Sequence, residues 1–164
     1  MLKKFLQRHD TKTVVITAPV TGTYIDLKDV PDPTFSEKMM GDGFAVEPKE
    51  GRLLSPVKGR VLQVFPTNQA VGIKSDEGLD ILLHIGLETV DRHGEGFHVH
   101  IREGQQVEAG ELLIDFSLEQ VGKRAKSAVT PLILTESSQI AAMEYKEASE
   151  VTAGETEVIN VTVK

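Results

Sequence analysis

Apolar residues recur along the chain in short runs, each closed by Gly, Pro or a small polar cluster. That punctuation belongs to strands rather than to long helices. From Thr13 one strand-like run follows another, and Val158-Ile159-Asn160-Val161-Thr162-Val163 ends the series. Two corners occur twice. Ala18-Pro19-Val20-Thr21-Gly22 returns as Ser55-Pro56-Val57-Lys58-Gly59, and Val107-Glu108-Ala109-Gly110-Glu111 returns as Val151-Thr152-Ala153-Gly154-Glu155. Pro sets the turn and Gly is expected to supply positive φ, so these are repeated strand-turn-strand corners. Helical signals are brief. Asp32 caps a turn with Pro33 at its first position and Gly41 at its end; Ser117-Leu118-Glu119-Gln120 fits a capping box running towards Lys126. A third short helix is expected around Gln139 to Ala148. The pattern predicts an all-β antiparallel sandwich with an internal pseudo-repeat and a few short helices.

One run breaks its own rule. Leu79 to Leu83 is apolar on both faces apart from Asp80, and then His84 interrupts it, with Gly86 two residues later. An imidazole in an apolar run costs free energy unless it has a partner or a task. Thr67 to Lys74 is a second apolar-rich stretch, joined to the first by the turn signal Ser75-Asp76-Glu77-Gly78. A hairpin pivoting between Asp76 and Glu77 sets Gln69 opposite His84, with Cβ atoms about 5 Å apart. Thr67, Val71 and Leu82 are then expected on the same face. Two polar groups together on an apolar sheet face mark a candidate site.

Leu83-His84-Ile85-Gly86-Leu87-Glu88-Thr89-Val90, followed by Gly94-Glu95-Gly96-Phe97, resembles the phosphohistidine region of the glucose-type IIA proteins of the bacterial sugar phosphotransferase system. Val30-Pro31-Asp32, Gly41-Asp42-Gly43-Phe44-Ala45, Thr67-Asn68 and Thr130-Pro131 match further blocks in the same order. The resemblance implies an antiparallel β-sandwich of the barrel-sandwich hybrid type over residues 13–164, behind a flexible basic tail at 1–12. It implies that His84 accepts phosphate from the phosphocarrier histidine protein and passes it to a sugar-specific IIB domain. It also implies that Glu88 lies near the site, and that the segment with Asp32, Phe35, Met39 and Met40 helps to form the docking face, beside Val71 and Leu82. Here the chain departs from the family. The family reads Thr-x-His-Ala where this sequence has Thr67-Asn68-Gln69-Ala70, so its second active-site histidine is replaced by Gln69.

Composition narrows the setting. The chain has 164 residues, no cysteine and a net charge of −7, which excludes a disulfide scaffold and argues against nucleic acid or broad attraction to anionic lipid. No apolar run approaches the roughly 20 residues that span a bilayer, so a cytoplasmic protein is expected. Leu2, Phe5 and Leu6 have helical spacing in the basic leader, so membrane contact is at most peripheral. No cofactor is called for.

Imidazole suits a reversible phosphoryl relay, because its ordinary pKa near 6.5 leaves a nucleophilic nitrogen at neutral pH. Two other readings stand beside a full relay. A regulatory module would be phosphorylated and would switch binding to regulated cytoplasmic proteins, since Gln69 cannot titrate. A prosthetic-group carrier would need a lysine on an exposed hairpin, and Glu37-Lys38-Met39 imitates that setting poorly. His93, His98 and His100 cluster in sequence but lack an obvious fourth ligand, so no metal site is assigned.

Overall fold

The structure is a computed structural model that describes residues 12–88, 96–125 and 127–164. The basic leader and His93 lie outside the described residues. The strands, in chain order, are β1 (Lys12–Thr17), β2 (Gly22–Asp26), β3 (Asp42–Pro48), β4 (Arg52–Leu54), β5 (Gly59–Val64), β6 (Ala70–Ser75) and β7 (Asp80–His84). They continue as β8 (Phe97–Val99), β9 (Gln106–Val107), β10 (Leu112–Phe116), β11 (Thr130–Leu134), β12 (Ile140–Tyr145), β13 (Glu150–Val151) and β14 (Glu157–Val163). Two short helices interrupt them, α1 (Pro33–Ser36) and α2 (Leu118–Arg124). Asp32 caps α1 by accepting from Thr34 N, and Ser117 caps α2 by accepting from Gln120 N.

All pairings are antiparallel. The large sheet runs β13-β2-β3-β11-β7-β6-β5-β9, and two three-stranded sheets run β1-β14-β12 and β4-β10-β8. The large sheet is two matching halves that meet at the β11–β7 ladder, where Leu132 faces Leu83. The repeated corners join the halves reciprocally. Ala18 N donates to Thr156 O at 2.9 Å and Gly154 N to Ala18 O at 2.9 Å; likewise Ser55 N donates to Glu111 O at 2.8 Å and Gly110 N to Ser55 O at 2.7 Å. Leu54 N donates across to Pro19 O and Thr17 N to Pro56 O, so each corner also holds the other.

Positive φ explains only one pair of corner glycines. Gly110 and Gly154 have φ of +87° and +75°, whereas Gly22 and Gly59 are not in the left-handed region. At those two positions backbone approach decides the residue. A Cβ on Gly22 would sit 1.9 Å from Glu47 O, and one on Gly59 would sit 2.2 Å from Lys74 O.

The main core lies between the sheets and is filled by residues such as Phe44, Leu53, Ile73, Leu83, Leu113, Leu132 and Ile159. A second, smaller cluster covers the other face of the central ladder. There Ala45, Ala70, Leu82 and Ile133 of the sheet meet Leu27, Val30 and Phe35 from the segment around α1. The alternation of β7 between these two clusters explains why it is apolar on both faces.

The helix expected over Gln139 to Ala148 is not formed. Ile140–Tyr145 is strand β12, paired with β14 through a register shift between Ile140 and Ala142. Its alanines favour a helix in isolation, but an unpaired β14 edge and the burial of Ile140 and Met143 against the core outweigh that preference. Gln139 sits in a tight turn just before the strand and clamps Asp80, accepting from its N at 2.9 Å and donating to its Oδ2 at 2.9 Å. Among the described residues no helix is long and apolar enough to cross a membrane.

Gly22→Ala and Gly59→Ala should each cost more than about 2 kcal/mol in urea unfolding, because a backbone carbonyl must move to admit the methyl group. Gly78→Ala, with φ of +100° but nothing within 4 Å of its Cβ, should cost only the backbone strain of about 1–2 kcal/mol. Equal losses at all three sites would refute the close-approach explanation.

Candidate functional site

His84 is the last residue of β7, where the ladder to β6 ends opposite Ala70. The register differs by one from that of a two-residue hairpin. Asp76, Glu77 and Gly78 form a three-residue loop, with Gly78 N donating to Ser75 O and Ser75 N to Leu79 O, both at 2.9 Å. The positive φ of Gly78 admits the extra residue. Gln69 is therefore not directly opposite His84. Val71 pairs with Leu83, faces the main core and is fully buried, so it cannot belong to a docking face as expected. Leu82, two residues from His84, does share its face.

Gln69 nevertheless reaches the site. It ends the turn Pro66-Thr67-Asn68-Gln69 between β5 and β6, closed by Phe65 N donating to Ala70 O at 3.0 Å. Asn68 takes φ of +63°, which frees this segment from strand alternation. Thr67, Gln69, Ala70, Leu82, His84 and Glu88 then line one cavity of about 410 Å³, closed by Asp32, Thr34, Phe35, Met40 and Phe65. Met39 is 71% exposed and is not among the lining residues, while Met40 is 38% exposed and forms part of the wall. Phe65, Thr34 and Ala70 were not legible as site residues; only the polar turn after Phe65 pointed towards them.

The imidazole is held by backbone. Ile85 N donates to Gln69 O at 2.8 Å, Gly86 N to Val129 O at 3.0 Å and Leu87 N to Ser127 O at 2.9 Å, clamping the segment after His84 on both sides. Gly86 has φ of +85°, a conformation open to glycine, and its carbonyl returns to lie 2.8 Å from His84 Nδ1. A carbonyl can only accept, so Nδ1 carries the proton and Nε2 keeps the lone pair in the neutral ring. The Phe35 ring lies 5.6 Å from the imidazole, centroid to centroid, at 57°. Burial holds the His84 pKa below its ordinary value; the Gly86 carbonyl and the Asp32 carboxylate pull the other way without reversing it. The ring is thus neutral and nucleophilic at neutral pH.

Two acids, Asp32 and Glu88, border the cavity, and among the described lining residues there is no lysine or arginine. Gln69 Oε1 is buried and accepts no hydrogen bond from the described residues. Away from this cavity, the His98 and His100 rings lie 5.0 Å apart, centroid to centroid, tilted at 33°, and His100 Nε2 is 2.7 Å from Asp115 Oδ2. Among the described residues no three potential ligands converge on a metal position.

Residues 14–140 match the family model described as the phosphoenolpyruvate-dependent sugar phosphotransferase system, EIIA 1. The chain is 51% identical over 150 residues to the PTS system glucose-specific EIIA component of Halalkalibacterium halodurans, covering 92% of this chain and 87% of that protein. The protein of the same description in Staphylococcus aureus is 47% identical over 152 residues, with 93% and 92% coverage. Among solved structures, glucose permease IIA from Mycoplasma capricolum superposes with a TM-score of 0.83 at 39% identity, covering 90% of this chain and 96% of that one.

Because burial lowers the His84 pKa, the unfolded chain takes up this proton first as pH falls. His84 therefore costs the fold stability from about pH 6.5 downward, until the folded-state pKa is passed. The loss should be missing from His84→Ala when urea unfolding is compared between about pH 7 and pH 5. Asp32→Asn keeps an N-cap but removes the carboxylate, so an NMR titration should find the His84 pKa lower still. A raised pKa in that variant would contradict the assigned balance.

Proposed function

The chain belongs to the EIIA 1 family of the phosphoenolpyruvate-dependent sugar phosphotransferase system, a family of phosphocarriers, and on that premise we propose that its carrier atom is Nε2 of His84. The observation that carries this reading is the bond between His84 Nδ1 and Gly86 O, which leaves Nε2 as the nucleophile on the wall of the cavity. The Nε2 lone pair attacks phosphorus on a phosphohistidine of the phosphocarrier histidine protein. As the new N–P bond forms, the donor's N–P bond breaks and its electron pair returns to the donor imidazole. Positioning and charge stabilisation are most of what a protein supplies to such a transfer. The apolar walls Phe35, Phe65 and Leu82 limit hydrolysis by water.

Charge supports one kind of partner. A phosphoryl group on His84 would have Thr67 and Gln69 as neutral donors nearby, with no cation of its own among the described lining residues. A donor or acceptor that brings positive charge to the rim, beside Asp32 and Glu88, supplies what the cavity lacks. Phe35 and Met40 in the wall, with the exposed Met39 next in sequence, provide an adaptable apolar contact for both partners, the phosphocarrier and a sugar-specific IIB domain. A carrier that works between these partners acts in the cytoplasm.

Gln69 favours a second reading, in which the protein is phosphorylated readily but donates poorly and acts as a switch for regulated cytoplasmic proteins. The amide can donate N–H to a phosphoryl oxygen but cannot change its charge as the group departs.

Radiolabel from the phosphocarrier should appear on His84 and vanish in His84→Ala without loss of fold; label persisting on His98 or His100 would refute the assignment. Met40→Asp should slow labelling while thermal stability is retained, and unchanged kinetics would move the docking face elsewhere. Gln69→His should speed onward transfer to a IIB domain by about tenfold or more, the low end for a positioned acid–base group. Efficient donation by the wild-type chain, unimproved by that change, would exclude the switch.

A further inference from the structure

A second cavity, of about 460 Å³, lies on the other side of the segment that follows α1. Met40 faces the His84 cavity, while Lys38 and Asp42 line this one. Its other walls include Tyr24 and Asp26 of β2, Lys28, and Tyr145 at the end of β12. The duplicated halves of the sheet relate the two places. Gly22 faces Pro48 as Gly59 faces Ser75, and Gly43 faces Ile133 as Ala70 faces His84. Asp42 therefore occupies in the first half the position that Gln69 occupies in the second. One corner became apolar around an imidazole, and its twin became polar around two tyrosines.

The polar groups of the twin are held in place. Asp42 Oδ1 accepts from Gly43 N at 2.8 Å and from Tyr145 Oη at 3.2 Å, and lies 3.3 Å from Lys38 Nζ. All three contacts fall on Oδ1, and Oδ2 takes part in none of them. Gly43 O lies 3.0 Å from the same Tyr145 Oη, so the single hydroxyl hydrogen is shared between this carbonyl and Asp42. The Tyr24 ring is stacked on Phe44, with centroids 5.6 Å apart, so it forms a rigid wall. Burial and the adjacent Asp26 push the Tyr24 hydroxyl up to about 12, so it stays a neutral hydrogen-bonding group.

We infer that this cavity binds a neutral, hexose-sized polyol. Carboxylates accept from ligand hydroxyls, tyrosine hydroxyls donate or accept, and an aromatic ring offers its face to the C–H side of a sugar ring. The volume falls in the range of small-ligand pockets. An anion fits less well. Lys38 is paired with Asp42 and Lys146 with Glu157, so two of the three lining lysines already have an anionic partner. The three lysines and three carboxylates of the lining balance, so no net field selects an ion.

The test is an amide NMR titration of the full chain with D-glucose, with myo-inositol and with inorganic phosphate. Saturable shifts of Asp26, Asp42, Gly43 and Tyr145 are expected with either polyol, without matching shifts of Ala70 or Leu82 in the other cavity. Asp26→Ala, an exposed change, should weaken polyol binding about tenfold by removing a charged hydrogen-bond acceptor. Gln69→Ala should leave it unaltered. Shifts that never saturate, saturation by phosphate alone, or polyol binding indifferent to Asp26→Ala would each overturn the proposal.

Discussion

The ladder between β7 and β11 is the joint on which the architecture depends. Each half of the large sheet is complete on its own outer side, and only this pairing makes them one sheet. Leu83 and Leu132 face each other there and are both fully buried in the main core, while their neighbours Leu82 and Ile133 turn to the opposite cluster. A central ladder buried on both faces has no tolerance for slippage, since a one-residue shift would exchange the two sets of side chains. That rigidity is what a reactive group at the end of β7 requires. The imidazole is aimed by strand and backbone hydrogen bonds rather than by mobile side chains.

Much of this was legible because strand punctuation and repeated corners are local signals. The corners at residues 18–22 and 55–59 were visible as sequence before their reciprocal bonds were seen. What local signals could not fix was register. The turn Ser75-Asp76-Glu77-Gly78 was correctly placed, but whether Gly78 belonged to loop or strand decided the partner of every residue up to His84. Val71 was misplaced for that reason, and Gln69 lines the cavity by a different route, through the turn at Asn68. The segment from Ile140 to Tyr145 failed for another reason: its alanines speak for a helix, and only the distant β14 could outvote them.

The site itself combines legible chemistry with illegible support. His84 and Gly86 stood out as a polar group and a flexible residue in an apolar run. The role of the Gly86 carbonyl in choosing the tautomer depends on a positive φ that sequence does not announce. The lack of a lysine or arginine among the described lining residues was equally hidden, because these come from three separate stretches of chain. A transferable phosphoryl group is suited to such a place. Strong cationic clamps would hold it, whereas neutral donors let the partner's charge decide where it goes.

The reciprocal corners also bear on how the chain reaches this state in time. Gly154 N bonds to Ala18 O and β14 pairs with β1, so the first described strand waits for the last. Folds dominated by such distant pairings close slowly, on the order of milliseconds to seconds, because the connecting loop's entropy is lost before its contacts form. A ribosome adding about 5–20 residues per second therefore leaves β1 exposed for several seconds before its partner emerges. Its alternating Lys12, Val14 and Ile16 would be an open edge throughout that interval. The duplicated architecture that stiffens the finished carrier thus leaves β1 without its partner for as long as the stretch from β1 to β14 takes to be made.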